Sequence, residues 1–282
     1  MDYKKNYNIK PKYITTAGSV IFTDGTNEVV ANQKTCEAYG YQYDAGTGTC
    51  QAFSKSRKIE RKFKNEGSGN RITGRDNTVQ TGESITMNGR GNNTVGYNRN
   101  CIVSGEGNSV EYGINNTTVL GAYGTSIMKG SFVLGGGGST DVNRFQSSII
   151  HLTTTTTDNT ATNMTIHGDG SNYIKLNANS IVGLEIYLTR LETGGSSGTA
   201  GNFSYRHMKG VVRCDNTKTL TITTYNSRVL GKDGVNGTAS ISEVGARQGN
   251  LTIQVTDRNN VNNIWSAVVY LHEIVSTQVD LP

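Results

Sequence analysis

The residues able to do chemistry are sparse in this chain of 282. Its four histidines, His151, His167, His207 and His272, are scattered, and neither an H-x-x-x-H pair nor a C-x-x-C pair offers the spacing a metal ion needs. Polysaccharide cleavage calls for two carboxylates across a groove, and the Gly-rich middle of the chain supplies only Asp76, Glu83, Glu106 and Glu111. Gly67-Ser-Gly-Asn-Arg-Ile72 is not a nucleotide loop, because no Gly-Lys-Ser/Thr follows it. No catalytic set, metal or cofactor is expected, and the chain is read as a non-enzyme. Two binding chemistries remain. Tyr205, His207, Tyr225 and Trp265 carry rings that stack on sugars, although Trp265 sits in the most apolar segment and reads as core. Lys4, Lys5, Lys10 and Lys12 give the N-terminus a cationic face for an acidic protein surface, a contact that salt would weaken.

Composition limits the elements that must position these groups. Apolar residues make up 34% and aromatic residues 7%, so several modest cores are expected rather than one large one. The chain has 35 Gly and 2 Pro. The charge of +5 is local: residues 1–64 hold 11 Lys/Arg against 6 Asp/Glu, whereas 65–282 hold 16 of each. Cations mixed with anions, and without interleaved aromatics, do not point to nucleic acid. No apolar run approaches the ~18 residues of a membrane span, and Met1 to Lys10 lacks the apolar stretch of a secretory signal. A soluble chain made in the cytosol is expected. That compartment disfavours a disulfide framework, so Cys36 and Cys50 are read as packed thiols ahead of a bonded pair, while Cys101 and Cys214 stand alone.

Four segments separate along the chain. Residues 1–53 form a small α+β module: a β-branched run ends in the hairpin signal Asp24-Gly25, a short helix fits Glu28 to Tyr39 with Gly40 to stop it, and Tyr41 to Phe53 reads as a second hairpin. Residues 54–66 form a basic neck. In 67–138, 17 of 72 residues are Gly, with units starting at Gly67, Gly74, Gly82, Gly89, Gly96, Gly105, Gly113, Gly121 and Gly130. Short repeats of this kind signal a stacked solenoid. Seven of these nine units place a β-branched residue after a polar one, and Ile72, Val79, Val95, Ile102, Val110, Val119 and Ile127 are the expected core. Two units per coil give four to five coils. So thin a core needs further burial, and self-association about the rod axis, as a cyclic trimer, would supply it.

Asn77-Thr-Val-Gln-Thr-Gly82, Asn93-Thr-Val-Gly96, Asn108-Ser-Val-Glu-Tyr-Gly113 and Thr117-Thr-Val-Leu-Gly121 resemble the repeats of the left-handed parallel β-roll in the heads of trimeric autotransporter adhesins. The resemblance covers about a quarter of the chain and implies a trimeric roll. The family's export signal and membrane anchor have no counterpart, which favours a virion fibre that uses the same roll.

Gly135-Gly-Gly-Gly-Ser139 reads as a joint before residues 139–282, where alternation such as Leu251/Ile253/Val255 marks about eight antiparallel strands and a β-sandwich. Ala178 to Arg190, Gly194 to Gly201, Tyr205 to Arg213 and Asn263 to Ile274 are together similar to C-terminal domains of tailed-bacteriophage structural proteins. Phe22-Thr-Asp-Gly-Thr26 and Cys36 to Tyr43 with Thr47 to Phe53 likewise resemble a small module of phage virion proteins. The expectation is a mainly β, homotrimeric phage fibre, assembled in the host cytoplasm and located in the virion. Its basic N-terminus attaches to a capsid or other virion protein, with a head fibre preferred to a tail or baseplate fibre. Its C-terminal sandwich is offered to host-surface glycan.

Overall fold

The computed structural model describes residues 9–52, 64–138, 143–276 and 281, and the chain forms two compact units that divide at Arg61. Lys4, Lys5 and residues 54–63 of the basic neck lie outside the described residues. The described residues are nearly all β, with one short helix.

The N-terminal unit comprises β1 (Lys10–Ile14), β2 (Val20–Thr23), β3 (Glu28–Val29), α1 (Gln33–Ala38), β4 (Gln42–Asp44) and β5 (Thr49–Gln51). Asp24-Gly25 turns the chain between β2 and β3: Asp24 Oδ1 accepts from the Thr26 and Asn27 N–H groups at 2.8 and 2.7 Å. The helix is shorter than expected because Glu28 and Val29 pair with β2, which leaves Asn32 as its N-cap, accepting from Thr35 N–H at 2.9 Å. Phe22 is the fully buried centre of the small core. Cys36 and Cys50 are joined in a disulfide inside it, a correction to the reading of two packed thiols. The compartment argument missed a pairing that the adjacent helix and hairpin bring together.

The second unit begins as a parallel β-solenoid of about four turns. Successive strand pairs are β6 (Lys64–Ser68) and β7 (Arg71–Ile72), β8 (Thr78–Glu83) and β9 (Thr86–Arg90), β10 (Asn93–Arg99) and β11 (Ile102–Glu106), β12 (Ser109–Val110) and β13 (Thr118–Ala122), and β14 (Thr125–Ser126) and β15 (Phe132–Gly138). Even-numbered strands stack in one parallel sheet and odd-numbered strands in the other. Glycine is demanded where coils touch. A Cβ on Gly105, whose φ is +122°, would stand 1.8 Å from the Gly121 carbonyl oxygen, and Gly89 and Gly74 repeat that approach one and two coils earlier.

The chain continues through β16 (Asn143–Thr156), β17 (Thr162–Asn163), β18 (Thr165–Ile166), β19 (Ile174–Lys175), β20 (Ser180–Gly194), β21 (Phe203–Cys214), β22 (Leu220–Lys232), β23 (Thr238–Glu243), β24 (Asn250–Thr256) and β25 (Asn262–Ser276). Five long strands run β22-β21-β20-β25-β16, all antiparallel, and β16 pairs with solenoid strand β15. Gly135 to Gly138 is therefore no break: Gly135 bonds in register with Gly121 on one side and Gln146 on the other. One sheet of eleven strands runs from the solenoid to β22. A four-stranded antiparallel sheet, β17, β24, β19 and β23, covers one face of the long strands, with Trp265, Ile186, Leu188, Ile253 and Met208 in the core. Ser139 lies outside the described residues.

Candidate functional site

The other face of the long strands carries the chemistry. Side chains alternate along a strand, so with Leu184, Ile186 and Leu188 buried, Glu185, Tyr187 and Thr189 point the opposite way. Register then sets Tyr187 between His207 on β21 and Val268 on β25, and Glu185 between Lys209 and Tyr270. Tyr187 stacks on His207 with centroids 4.8 Å apart and planes 9° from parallel, and on Tyr205 at 6.3 Å and 19°. Tyr270 meets it edge-on at 6.0 Å.

One carboxylate organises this group. Glu185 Oε1 accepts from the Tyr187 hydroxyl at 3.0 Å and from His207 Nε2 at 2.8 Å, and Lys209 Nζ lies 3.5 Å away. The Tyr187 hydroxyl, followed by the His207 ring, holds Glu185 below the ordinary carboxylate range, and the same hydrogen bond raises the Tyr187 phenol. A groove of about 450 Å³ opens over Glu185, Tyr187, Tyr205, Val268 and Tyr270. Rings with polar tips beside a carboxylate suit a saccharide, whose apolar ring face stacks while its hydroxyls donate.

Of the residues singled out in the sequence, Tyr205 and His207 fall in this cluster, and Trp265 lies in the core, where its Nε1 donates to Thr156 Oγ1 at 3.0 Å. The side chain of Tyr225 lies outside the described ones. Sequence reading missed Glu185, Tyr187 and Tyr270, although the parity of Leu184/Ile186/Leu188 carries the signal. Asp76, Glu83, Glu106 and Glu111 are all exposed. Asp76 faces Arg75 at 3.3 Å and Glu106 faces Arg90 at 3.9 Å. The described residues contain no cluster able to hold a metal ion and no helix long and apolar enough to cross a membrane.

In the N-terminal unit, Lys10 is exposed on β1, and Lys12 Nζ bonds Glu28 Oε1 at 2.9 Å, which raises the lysine and lowers the acid.

In the solenoid, Val79, Val110 and Val119 are fully buried and Ile72 packs against them. The others need correction. Ile102 points outward, 49% exposed, and Val103 takes the inward place. Val95 is half-buried, because the buried neighbour Thr94 faces in and a bulge follows it in β10. Ile127 leans on the antiparallel core rather than the coil interior. Ile85, Met87, Cys101, Ile114 and Val133 complete the interior. Burial raises the Cys101 thiol and pushes Cys214 up to about 11, so neither is a nucleophile at neutral pH.

No family model matches the chain, and no curated protein matches it. Solved structures similar to it include three phage tailspike proteins. The tailspike protein of Acinetobacter baumannii phage AM24 is 7% identical, with 73% of this chain and 43% of that chain covered at a TM-score of 0.27. Tailspike protein gp49 from Acinetobacter baumannii bacteriophage Fri1, a capsular polysaccharide depolymerase, is 9% identical over 75% and 45%, at 0.26. The Acinetobacter phage vB_ApiP_P1 tailspike protein is 10% identical over 73% and 46%, at 0.20. The match spans less than half of each of those chains. Scores this low assign no activity here. One of the three is nevertheless a depolymerase, and on that finding the expectation of a non-enzyme is withdrawn.

Proposed function

We propose that the chain is a receptor-binding fibre of a tailed bacteriophage, a homotrimeric virion component with a left-handed roll, attached through its N-terminal unit and meeting host-surface polysaccharide with its C-terminal sheet. The observation that carries this reading is the Tyr205–Tyr187–His207 ring stack beside Glu185, displayed on a sheet that continues a solenoid. A stiff stack of coils ending in a saccharide-compatible surface suits a chain that holds a receptor site away from its particle. Tail placement is put first because contact with the host surface is the tail's task. A capsid head fibre is the second reading, favoured by a solenoid of only about four turns.

The test is binding of the full chain to surface polysaccharides of susceptible bacteria, with reducing-end release followed in the same samples. Binding that falls at least tenfold in Tyr205→Ala supports the reading, and release of reducing ends would make the site hydrolytic as well. Neither binding nor release on any host polymer overturns it. Attachment is tested separately. Removing residues 1–13, which takes away Lys4, Lys5, Lys10 and Lys12, is expected to leave a folded oligomer that does not join particles, and normal incorporation refutes that role.

A further inference from the structure

The correction at Ile102 leads to a wider feature. Register places outward residues in rows that cross the eleven-stranded sheet, and the rows run along the direction in which the coils stack. Ile102 on β11 lies beside Thr118, Phe132, Ile149, Tyr270 and then Glu185. In a parallel row Leu134 lies beside Ser147 and His272, and in the next Phe145 lies beside Ile274 and Ile181. Solenoid and antiparallel strands thus share one apolar strip on one face of one sheet. Phe132 and Phe145 are 39% and 44% exposed, and Ile102, Leu134, Ile181 and Ile274 are 45–51% exposed.

We propose that this strip is the contact between copies of the chain. The inference rests on the fibre reading above and names the surface that its self-association uses. From β11 to β21 the strip covers six strand spacings, about 29 Å at ~4.8 Å each. At about 200 Å² for a large side chain, six residues left two-fifths to half open carry on the order of 500 Å². Half-buried Leu120 and Ile149 add to this, toward the roughly 800 Å² that one partner gives to a standard interface.

The occupant follows from the layout. A surface that keeps one apolar character across two kinds of sheet, along one direction, is matched in length and pattern by the same strip on another copy. Rotation about an axis parallel to the coil stack brings strip to strip along its whole length. A groove of about 530 Å³, lined in part by Leu134, Phe145, Ile181, Val211 and Ile274, receives the neighbour's side chains. Glu185 and the Tyr205–Tyr187–His207 stack lie at the far end of the first row, outside the contact, and stay open to saccharide, while Glu106 at the opposite edge faces Arg90. Arg213, opposite Ile181, supplies a polar rim.

The test is the mass of the full-length chain by light scattering, with circular dichroism to confirm the fold. The wild type is expected near three times the 30.3 kDa chain mass. Ile274→Asp and, independently, Leu134→Asp are expected to fall toward a single chain mass while staying folded. Leu191→Asp, equally exposed on β20 but outside the strip, is expected to keep the wild-type mass. Should an Asp variant not fold, Ile274→Ser takes its place and is expected to shift the dissociation at least tenfold. An oligomeric wild type whose strip variants keep full mass overturns the inference and leaves the fibre reading standing. Dissociation by Leu191→Asp as well overturns the assignment to the strip. A monomeric wild type overturns both the strip and the trimer.

Discussion

The solenoid and the antiparallel region belong to one sheet, yet they fill their interiors by different means. Behind the long strands, alternate residues meet a second sheet, and the space is filled by Trp265, Ile150, Leu152, Met164 and their neighbours. Inside the coils there is room for about one Val, Ile or Met per strand, and buried asparagines take the corners. Asn92 N–H donates to Asn77 Oδ1 at 2.9 Å, Asn108 N–H to Asn92 Oδ1 at 3.0 Å, and Gly124 N–H to Asn108 Oδ1 at 2.8 Å. Each bond joins residues fifteen or sixteen apart, one coil to the next. A repeat can stack the same polar side chain on itself and satisfy it every time. A meander, whose neighbours differ at every strand, buries hydrocarbon instead.

The strongest test of that contrast is steric. Gly105→Ala sets a Cβ against the Gly121 carbonyl at a φ of +122°, and the coils cannot part without losing the β11–β13 ladder. The expected outcome is no native solenoid, seen as loss of protease resistance within residues 67–138. A variant that melts with the wild type would remove the claim that coil spacing demands glycine there.

Trp265→Ala should cost about 3–5 kcal/mol, the range for deleting a buried aromatic. The ring is 2% exposed, and its loss also frees Thr156 Oγ1 from the indole N–H. Hydrogen exchange is expected to quicken on β24 and β25 while the Val103 and Val119 amides stay protected, because the two cores are separate clusters. Equal loss of protection in both would show that the shared sheet makes them one.

Asn92→Ala probes the polar ladder directly. The side chain donates to Asn88 O at 3.0 Å and Gly105 O at 2.9 Å and accepts from Asn108 N–H. Removing it leaves buried backbone groups unmet at ~1–3 kcal/mol each, so a loss on the order of 3 kcal/mol is expected in chemical denaturation. A loss below 1 kcal/mol would mean that water replaces the amide and that the ladder adds little.

Much of this contrast was legible in the residues. The Gly-to-Gly units gave the coil count, and the alternation Leu251/Ile253/Val255 gave the antiparallel strands. The misreading at Ile102 is one of parity. In Ile102-Val103 two adjacent β-branched residues leave the inward one undecided, and a one-residue slip flips the whole strand. Asn92 inward and Ile102 outward both reverse the usual preference, the first because its neighbours one coil away satisfy it, the second because it belongs to the uncovered strip. Gly135 to Gly138 reads as a joint for its flexibility, but position 135 continues the line of close-approach glycines from Gly105 and Gly121. The aromatic cluster was half visible: Tyr205 and His207 lie on one strand, while Glu185, Tyr187 and Tyr270 join them only through register.

The smallest expected effect lies at the rim of the antiparallel region, where a turn rather than a core is held by polar groups. Asp169 caps the turn before β19: its Oδ1 accepts from the Ser171 and Asn172 N–H groups at 2.9 and 2.8 Å. Slight desolvation opposes ionisation, but the N–H donors outweigh it and lower the carboxyl to about 2, from an ordinary 3.8. A depressed acid stabilises the fold above its unfolded value, so this contribution is complete above about pH 4 and disappears as pH falls through about 2. The carboxyl carbon of Asp169 should titrate near 2 by NMR. Asp169→Ala should lower the melting temperature slightly at pH 7, by less than Asn92→Ala, with the difference closing between pH 4 and 2. A midpoint near 3.8 would show that the turn's N–H groups face solvent, and that polar stacking orders the solenoid without a counterpart at the edge of the apolar core.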